Sequence, residues 1–211
     1  LSPPSSKRAG DPLPDPAAVL KESSTTARGL KSVHLVLSVA GKIAEMPVKT
    51  LDGDLTNEPG IAARGKAKIA IMGAGVDIRF VEFDRRLYVA LPGEDFKDYG
   101  PTSNVYDVGA VLNPDTGLAN MLADFVDPKV EARETVRGQQ TIQIAGKVTA
   151  DAVNKIVPLE ATKRVPVPVG IQERGDHQLV QAKLEPGKDD SIEMIFSNWN
   201  VPVTVDKPAG A

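Results

Sequence analysis

The stretch Ser32-Val33-His34-Leu35-Val36-Leu37-Ser38-Val39-Ala40 carries Val33, Leu35, Leu37 and Val39 at every second position. Successive side chains of a strand point to opposite faces, so this spacing predicts a β-strand with one buried face and one wetted face. The same period recurs along the chain. Ala67, Ile69 and Ile71 oppose Lys66 and Lys68; Leu87, Val89 and Leu91 follow. Then come Ile142, Ile144 and Val148, next Val165, Val167, Val169 and Ile171, and finally Ile192, Met194 and Phe196. Turn formers lie between these runs at Asn57-Glu58-Pro59-Gly60, Gly73-Ala74-Gly75, Arg137-Gly138, Arg174-Gly175-Asp176 and Pro186-Gly187-Lys188-Asp189. Such short connections require antiparallel pairing, because parallel strands need a crossover of about a dozen residues. A sheet of about ten strands cannot stay flat, since strand twist accumulates; it curls and acquires a concave side.

Three segments predict helices. The first opens at Asp15-Pro16, ends near Gly29 and carries Val19, Leu20, Ala27 and Leu30 on one side. The second opens at Asn113-Pro114-Asp115, places Leu118, Met121, Leu122 and Phe125 on one stripe and is stopped by Pro128. The third is capped by Thr149, buries Val153, Ile156 and Val157, and ends at Pro158. The order of elements predicts one α+β domain over residues 15–211, with helices gathered on one face of the sheet and residues 1–14 as a flexible tether. Ala40-Gly41-Lys42-Ile43 and Ala145-Gly146-Lys147-Val148 hint at a duplicated strand unit, but four residues are too few to claim a repeat.

The 211 residues contain no Cys, which removes disulfide scaffolds, thiolate metal sites and Cys nucleophiles. Lys and Arg number 25 against 28 Asp and Glu, a net charge of −3 without a basic block, so nucleic acid is not the expected partner. The longest uncharged apolar stretch, Ser32 to Gly41, is about ten residues, too short for a membrane span of roughly 18 or more. Hydrophobic residues make up 41% of the chain, yet only five Phe, three Tyr and one Trp are among them. A core built of Val, Ile and Ala is either thin or completed by something else. A dry hole of about 1000 Å³ would cost on the order of 24 kcal/mol, more than a domain's whole stability, so a large void must hold a ligand or collapse.

Catalytic chemistry is scarce. His34 and His177 are the two histidines, one on the outer phase of a strand and one in a turn, and neither sits in a nucleophile elbow or zinc motif. Gly73-Ala74-Gly75 is followed by no helix and reads as a hairpin turn. Asp52-Gly53-Asp54, with Asn57 and Glu58 beyond, lacks the ligand spacing of a calcium loop; Asp189-Asp190 belongs to a turn. No cofactor and no metal site are expected, and the chain is expected not to be an enzyme.

The segment Tyr106-Asp107-Val108-Gly109-Ala110-Val111-Leu112-Asn113-Pro114-Asp115-Thr116-Gly117-Leu118-Ala119-Asn120 resembles the corresponding stretch of the mycobacterial LppX/LprA/LprF/LprG lipoproteins. So do Gly175-Asp176-His177-Gln178-Leu179, Gly53-Asp54-Leu55-Thr56, Ala40-Gly41-Lys42-Ile43 and Ala145-Gly146-Lys147-Val148. The likeness runs from about Asp11 to Pro208, with the LprF branch the nearest fit. It implies a strongly curved antiparallel half-barrel sheet with helices on its concave side, enclosing an apolar cavity, as in bacterial lipoprotein carriers. It further implies a cell-envelope protein that binds di- or triacylated lipids or glycolipids and carries them between membranes. Location would be the outer face of the plasma membrane or the periplasmic space, through an N-terminal lipid anchor on a Cys that this chain lacks. Carried onto this sequence, the cavity walls would be Leu35, Leu37, Ala67, Ile69, Ile71, Ile78, Phe80, Val89 and Ile144, with Leu118, Met121, Leu122 and Phe125 on the helix. In Val76–Phe83 two phases compete, Ile78 and Phe80 against Val81 and Phe83, and a slip of one residue would exchange wall for surface. The alternative reading is an envelope interaction protein that presents its surface or its loaded state to a membrane receptor or sensor; a lipid hydrolase ranks third.

Overall fold

The computed structural model describes residues 11–211. In chain order the elements are α1 (Pro16–Arg28), β1 (Ser32–Ala40), β2 (Val48–Thr56), β3 (Ala62–Ile71), β4 (Ala74–Phe83), β5 (Arg86–Ala90) and β6 (Lys97–Pro101). Two 3-10 turns, Thr102–Asn104 and Val108–Leu112, lead to α2 (Leu118–Ala123). The chain continues through β7 (Phe125–Val136), β8 (Gln139–Val148), α3 (Ala150–Ile156), β9 (Val165–Pro166), β10 (Val169–Gln172), β11 (Leu179–Gly187) and β12 (Asp190–Ser197).

All strands join one 12-stranded sheet in the order β6-β5-β4-β3-β2-β1-β12-β11-β10-β8-β7, with β9 added to β8. Each pairing is antiparallel, and β6 and β7 are the outer edges of this open sheet. Accumulated twist bends so many strands into a half-barrel, and the three helices fill its concave side. Register fixes which residues face in. Leu35 opposes Phe196 on one side and Gly53 on the other, Leu37 opposes Met194 and Leu51, and Leu51 opposes Ala67. Ala67 then opposes Ile78, and Phe80 opposes both Gly65 and Val89. Within Val76–Phe83 the inward phase is therefore Ile78 and Phe80, while Val81 pairs with Tyr88 on the outer face. Gly53 and Gly65 lie opposite each other beneath the Phe80 ring; a Cβ on Gly53 would meet Phe80 Cζ at 3.0 Å, and one on Gly65 would meet Asp52 O at 2.2 Å. The aromatic ring covers backbone that no side chain could share.

Helix α1 begins at Asp15-Pro16 and its Val19, Leu20 and Ala27 are buried, as the spacing predicts. Ser24 Oγ donates to the Ala119 carbonyl at 2.7 Å and joins α1 to α2. The Thr149 hydroxyl accepts from Ala152 N–H at the start of α3.

Three expectations are corrected. Helix α2 is shorter than its apolar stripe: Asn113 Oδ1 accepts from the N–H groups of Asp115 and Thr116, closing a separate turn, and the helix starts only after Gly117. Phe125 is the first residue of β7, not the last turn of a helix, and Pro128 sits at a register shift in that edge strand, where its missing N–H costs no ladder bond. The two Ala-Gly-Lys tetrapeptides are not a duplicated unit: Gly41, at φ 79°, ends β1, whereas Gly146 lies within β8 against the Phe125 ring. Of the tether expected over residues 1–14, residues 1–10 lie outside the described residues. At its end Arg133 donates to the carbonyls of Asp11 and Pro12 at 2.7 and 2.9 Å, so that part is held to β7. Arg133 also pairs with Glu173 at 2.8 Å, both side chains being buried.

Candidate functional site

The concave face is filled unevenly. Toward β1, β12, β11, β10 and β8 its inward residues are buried in one apolar cluster with those of α1, α2 and α3. Toward β2–β5 it is covered by the irregular Thr102–Leu112 segment, and a cavity of about 150 Å³ remains between them. Its walls are Val48 and Leu51 from β2; Ala67, Ile69 and Ile71 from β3; Ile78 and Phe80 from β4; and Leu87 and Val89 from β5. Leu91, Tyr99, Val105, Tyr106 and Val108 complete them. No Asp, Glu, Lys, Arg or His is among these residues, so the space offers apolar contact and two phenol groups. Kept dry, a void of this size would cost about 4 kcal/mol.

Of the residues expected to form one wall, Ala67, Ile69, Ile71, Ile78, Phe80 and Val89 surround this cavity. Leu35, Leu37, Leu118, Met121, Leu122 and Ile144 are buried in the apolar core away from this lining, none more than 2% exposed, and Phe125 packs half-buried against that core from β7. Two sets of inward residues that alternate identically in sequence thus have different surroundings: one lines the space beneath the Thr102–Leu112 segment and the other does not. The difference is measurable. Leu122→Ala is expected to cost about 3 kcal/mol in urea unfolding, since it opens a new void in close packing. Ile69→Ala, beside space that already exists, is expected to cost about 1 kcal/mol. Equal losses would mean that both sites are packed alike.

Val48, Leu51, Leu87, Leu91, Tyr99, Val105, Tyr106 and Val108 line the cavity without having been singled out beforehand. Leu87 and Leu91 share the period of Val89, which is a signal for them; Val105, Tyr106 and Val108 lie in a segment with no periodicity to read.

The covering segment is tied down by polar contacts. Tyr106 is buried, and its hydroxyl reaches the Ile156 carbonyl at 3.5 Å. Burial, with the neighbouring carboxylates of Asp107 and Glu82, holds this phenol well above its ordinary pKa. Glu82 is on the inward phase of β4 opposite Ala63 and is 2% exposed. Its carboxyl group meets the Asp107 side chain and the Gly109 N–H, and burial followed by Asp107 pushes its pKa up to about 9. Oε1 has no partner. A Cβ on Gly109 would lie 2.1 Å from Glu82 Oε2, so glycine lets the segment approach the carboxyl group. On the far side of this segment a second hollow of about 200 Å³ lies against α3 and shares Val105 and Tyr106 with the first.

Outer-face hollows are wider, about 690 and 510 Å³, but Asp52, Lys66, Lys68, Asp77 and Arg79 edge the first and His34, Asp54, Arg64 and Lys66 the second. There His34 stands between two acids, Nε2 at 2.9 Å from Asp52 and Nδ1 at 2.7 Å from Asp54, which explains the Asp52-Gly53-Asp54 pattern. His177 bridges the Gln172 carbonyl and the Glu22 carboxylate at 2.8 Å each, linking the β10–β11 turn to α1. Both histidines are structural ties remote from the cavity walls. Among the described residues no helix is long and apolar enough to cross a membrane.

An open half-barrel with a largely apolar hollow between its concave face and the Thr102–Leu112 segment defines a class of binding domain for apolar ligands. The profile of the LppX_LprAFG lipoprotein family matches residues 15–205, and the chain belongs to that family. It is 50% identical to the lipoarabinomannan carrier protein LprG of Mycobacterium tuberculosis (strain ATCC 25618 / H37Rv) over 204 residues, 96% of this chain and 86% of that one. To the same-named protein of Mycolicibacterium smegmatis it is 48% identical over 208 residues, covering 97% and 88%. The crystal structure of LprF from Mycobacterium bovis superposes with a TM-score of 0.85 at 28% identity, over 95% of this chain and 100% of that one. LppX from Mycobacterium tuberculosis gives 0.72 at 26% identity, over 90% and 98%. Sequence identity is thus higher to these LprG proteins, while LprF provides a close backbone match.

Proposed function

We propose that this protein is a non-enzymatic carrier of acylated lipids or glycolipids in the cell envelope, receiving acyl chains between the concave face of β2–β5 and the Thr102–Leu112 segment. The observation that carries this reading is the cavity lining: fourteen side chains, with no carboxylate, ammonium, guanidinium or imidazole among them, converge on one space that opens to the surface beside Ile71, Tyr99 and Val105. The related LprG proteins are named lipoarabinomannan carriers, and a glycolipid with di- or triacyl anchors is the cargo proposed here. Burying a CH₂ away from water is worth about 0.8 kcal/mol, whereas moving it from a bilayer into an apolar cavity is near neutral, so such a site can both load and unload.

Capacity follows from size. A void of about 150 Å³ admits a benzene-sized group, so a whole acyl chain requires the wall to move. Val105 and Tyr106 separate the cavity from the second hollow, and outward movement of this one segment would join the two spaces without disturbing the sheet. Organic extraction and mass spectrometry of the purified protein tests the reading. A stoichiometric acylated ligand is expected; its absence, together with failure to take up a diacyl lipid from detergent, would overturn the carrier function.

A further inference from the structure

Large apolar side chains that stand exposed are few among the described residues, and most gather at one place. Six are exposed, and four of these are Ile71, Met72, Tyr99 and Val105. Ile71, Tyr99 and Val105 belong to the cavity wall yet are 43%, 48% and 37% exposed, so they form its mouth. Met72 follows Ile71 at the tip of the β3–β4 hairpin with its side chain entirely in solvent.

Met72 is an unfavourable residue for its position. Ile71 pairs with Ala74, leaving Met72 and Gly73 as a two-residue loop, with φ 50° and 82°. Two positive φ values define a type I′ turn, whose first central position favours Asn, Asp or Gly because other residues crowd their own backbone there. Gly73 fits; Met72 does not, and full exposure leaves it no intramolecular packing to offset the misfit. A residue that breaks a local rule without a structural return points to an external contact. The shape of the patch identifies the contact. A projecting hairpin tip has no concavity to receive a protein side chain, but it can enter a fluid apolar phase. The aromatic ring of Tyr99, with its polar hydroxyl, suits the headgroup level, and Ile71 and Met72 suit the acyl level. The patch is also continuous with the cavity, so seating it in lipid removes water from the path between acyl region and cavity wall.

We infer that Ile71, Met72, Tyr99 and Val105 form a membrane-docking rim that seats the cavity mouth at the headgroup–acyl boundary of a bilayer. This rests on the carrier reading and adds to it the surface through which cargo passes. The test uses flotation with vesicles of four parts phosphatidylcholine to one part phosphatidylglycerol, and in parallel uptake of a fluorescent diacyl lipid from detergent. Met72→Asn is expected to lower vesicle binding about tenfold, to retain uptake from detergent, and to unfold at the same or a higher temperature, because Asn-Gly suits the turn. Met72→Leu is expected to bind vesicles like the unmodified protein. If the unmodified protein does not float with vesicles, or Met72→Asn floats equally well, the docking rim is wrong. Failure of uptake from detergent by every form would instead overturn the carrier reading.

Discussion

Ala67→Trp is expected to abolish uptake of acylated lipid while the protein still folds. Ala67 faces inward on β3 between Leu51 and Ile78, in the middle of the cavity wall. An indole there would occupy much of the roughly benzene-sized space that the cavity offers. In a solid core such an insertion forces neighbours off their rotamers at about 1–3 kcal/mol or more; here the added group enters a void, so the loss in urea unfolding should fall at the low end of that range. The ligand loses both the space and the small side chain that admits it. Mass spectrometry of extracts and titration with a fluorescent diacyl lipid read the first effect, and urea unfolding reads the second. Unchanged occupancy would remove Ala67 from the binding wall, and gross unfolding would mean that the space is already filled.

What could be read from the sequence depended on whether a residue's neighbours in space repeat with a local period. β1 is buried on one face along most of its length, so Val33, Leu35 and Leu37 announced it. β6 and β7, as edge strands, have mostly exposed or half-buried residues and no such pattern. The stripe Leu118, Met121, Leu122, Phe125 is apolar because all four residues meet the same core, but a helix supplies only the first three. Period alone cannot separate a helix from a helix followed by a strand that bends toward the same interior. Inward direction was likewise legible for Leu37 and Ile78 alike. Whether an inward residue meets a helix or a cavity depends on where α1 and α2 lie across the sheet, and that placement is fixed by contacts such as Ser24 to Ala119, 95 residues apart. The Thr102–Leu112 cover was not legible, because 3-10 turns bury Val108, Val111 and Leu112 without a sustained period. Glu82 was hidden for the opposite reason: it occupies an inward position that the alternation reserves for an apolar residue.

Glu82→Gln is expected to stabilise the protein at neutral pH by a few kcal/mol and to flatten its pH dependence. The carboxyl group is buried next to Asp107 and Gly109, and its folded pKa is about 9 against an ordinary value of 4.5. Between those two values the folded state retains a proton that the unfolded chain releases. Stability from this group is therefore fully present below about pH 4.5, falls by about 1.4 kcal/mol per pH unit as pH rises, and declines no further above about pH 9. At neutral pH the native protein already bears part of that loss. Glutamine keeps the shape, can donate to the Asp107 carboxylate and accept from the Gly109 N–H, and has no proton to lose. Urea unfolding from pH 5 to pH 9 should show a falling stability for the unmodified protein and a nearly level one for Glu82→Gln, the two diverging as pH rises. Glu82→Ala should behave differently, losing stability throughout because the Gly109 N–H is left buried without its acceptor. Parallel pH profiles for the unmodified protein and Glu82→Gln would mean that Glu82 is ionised in the folded state.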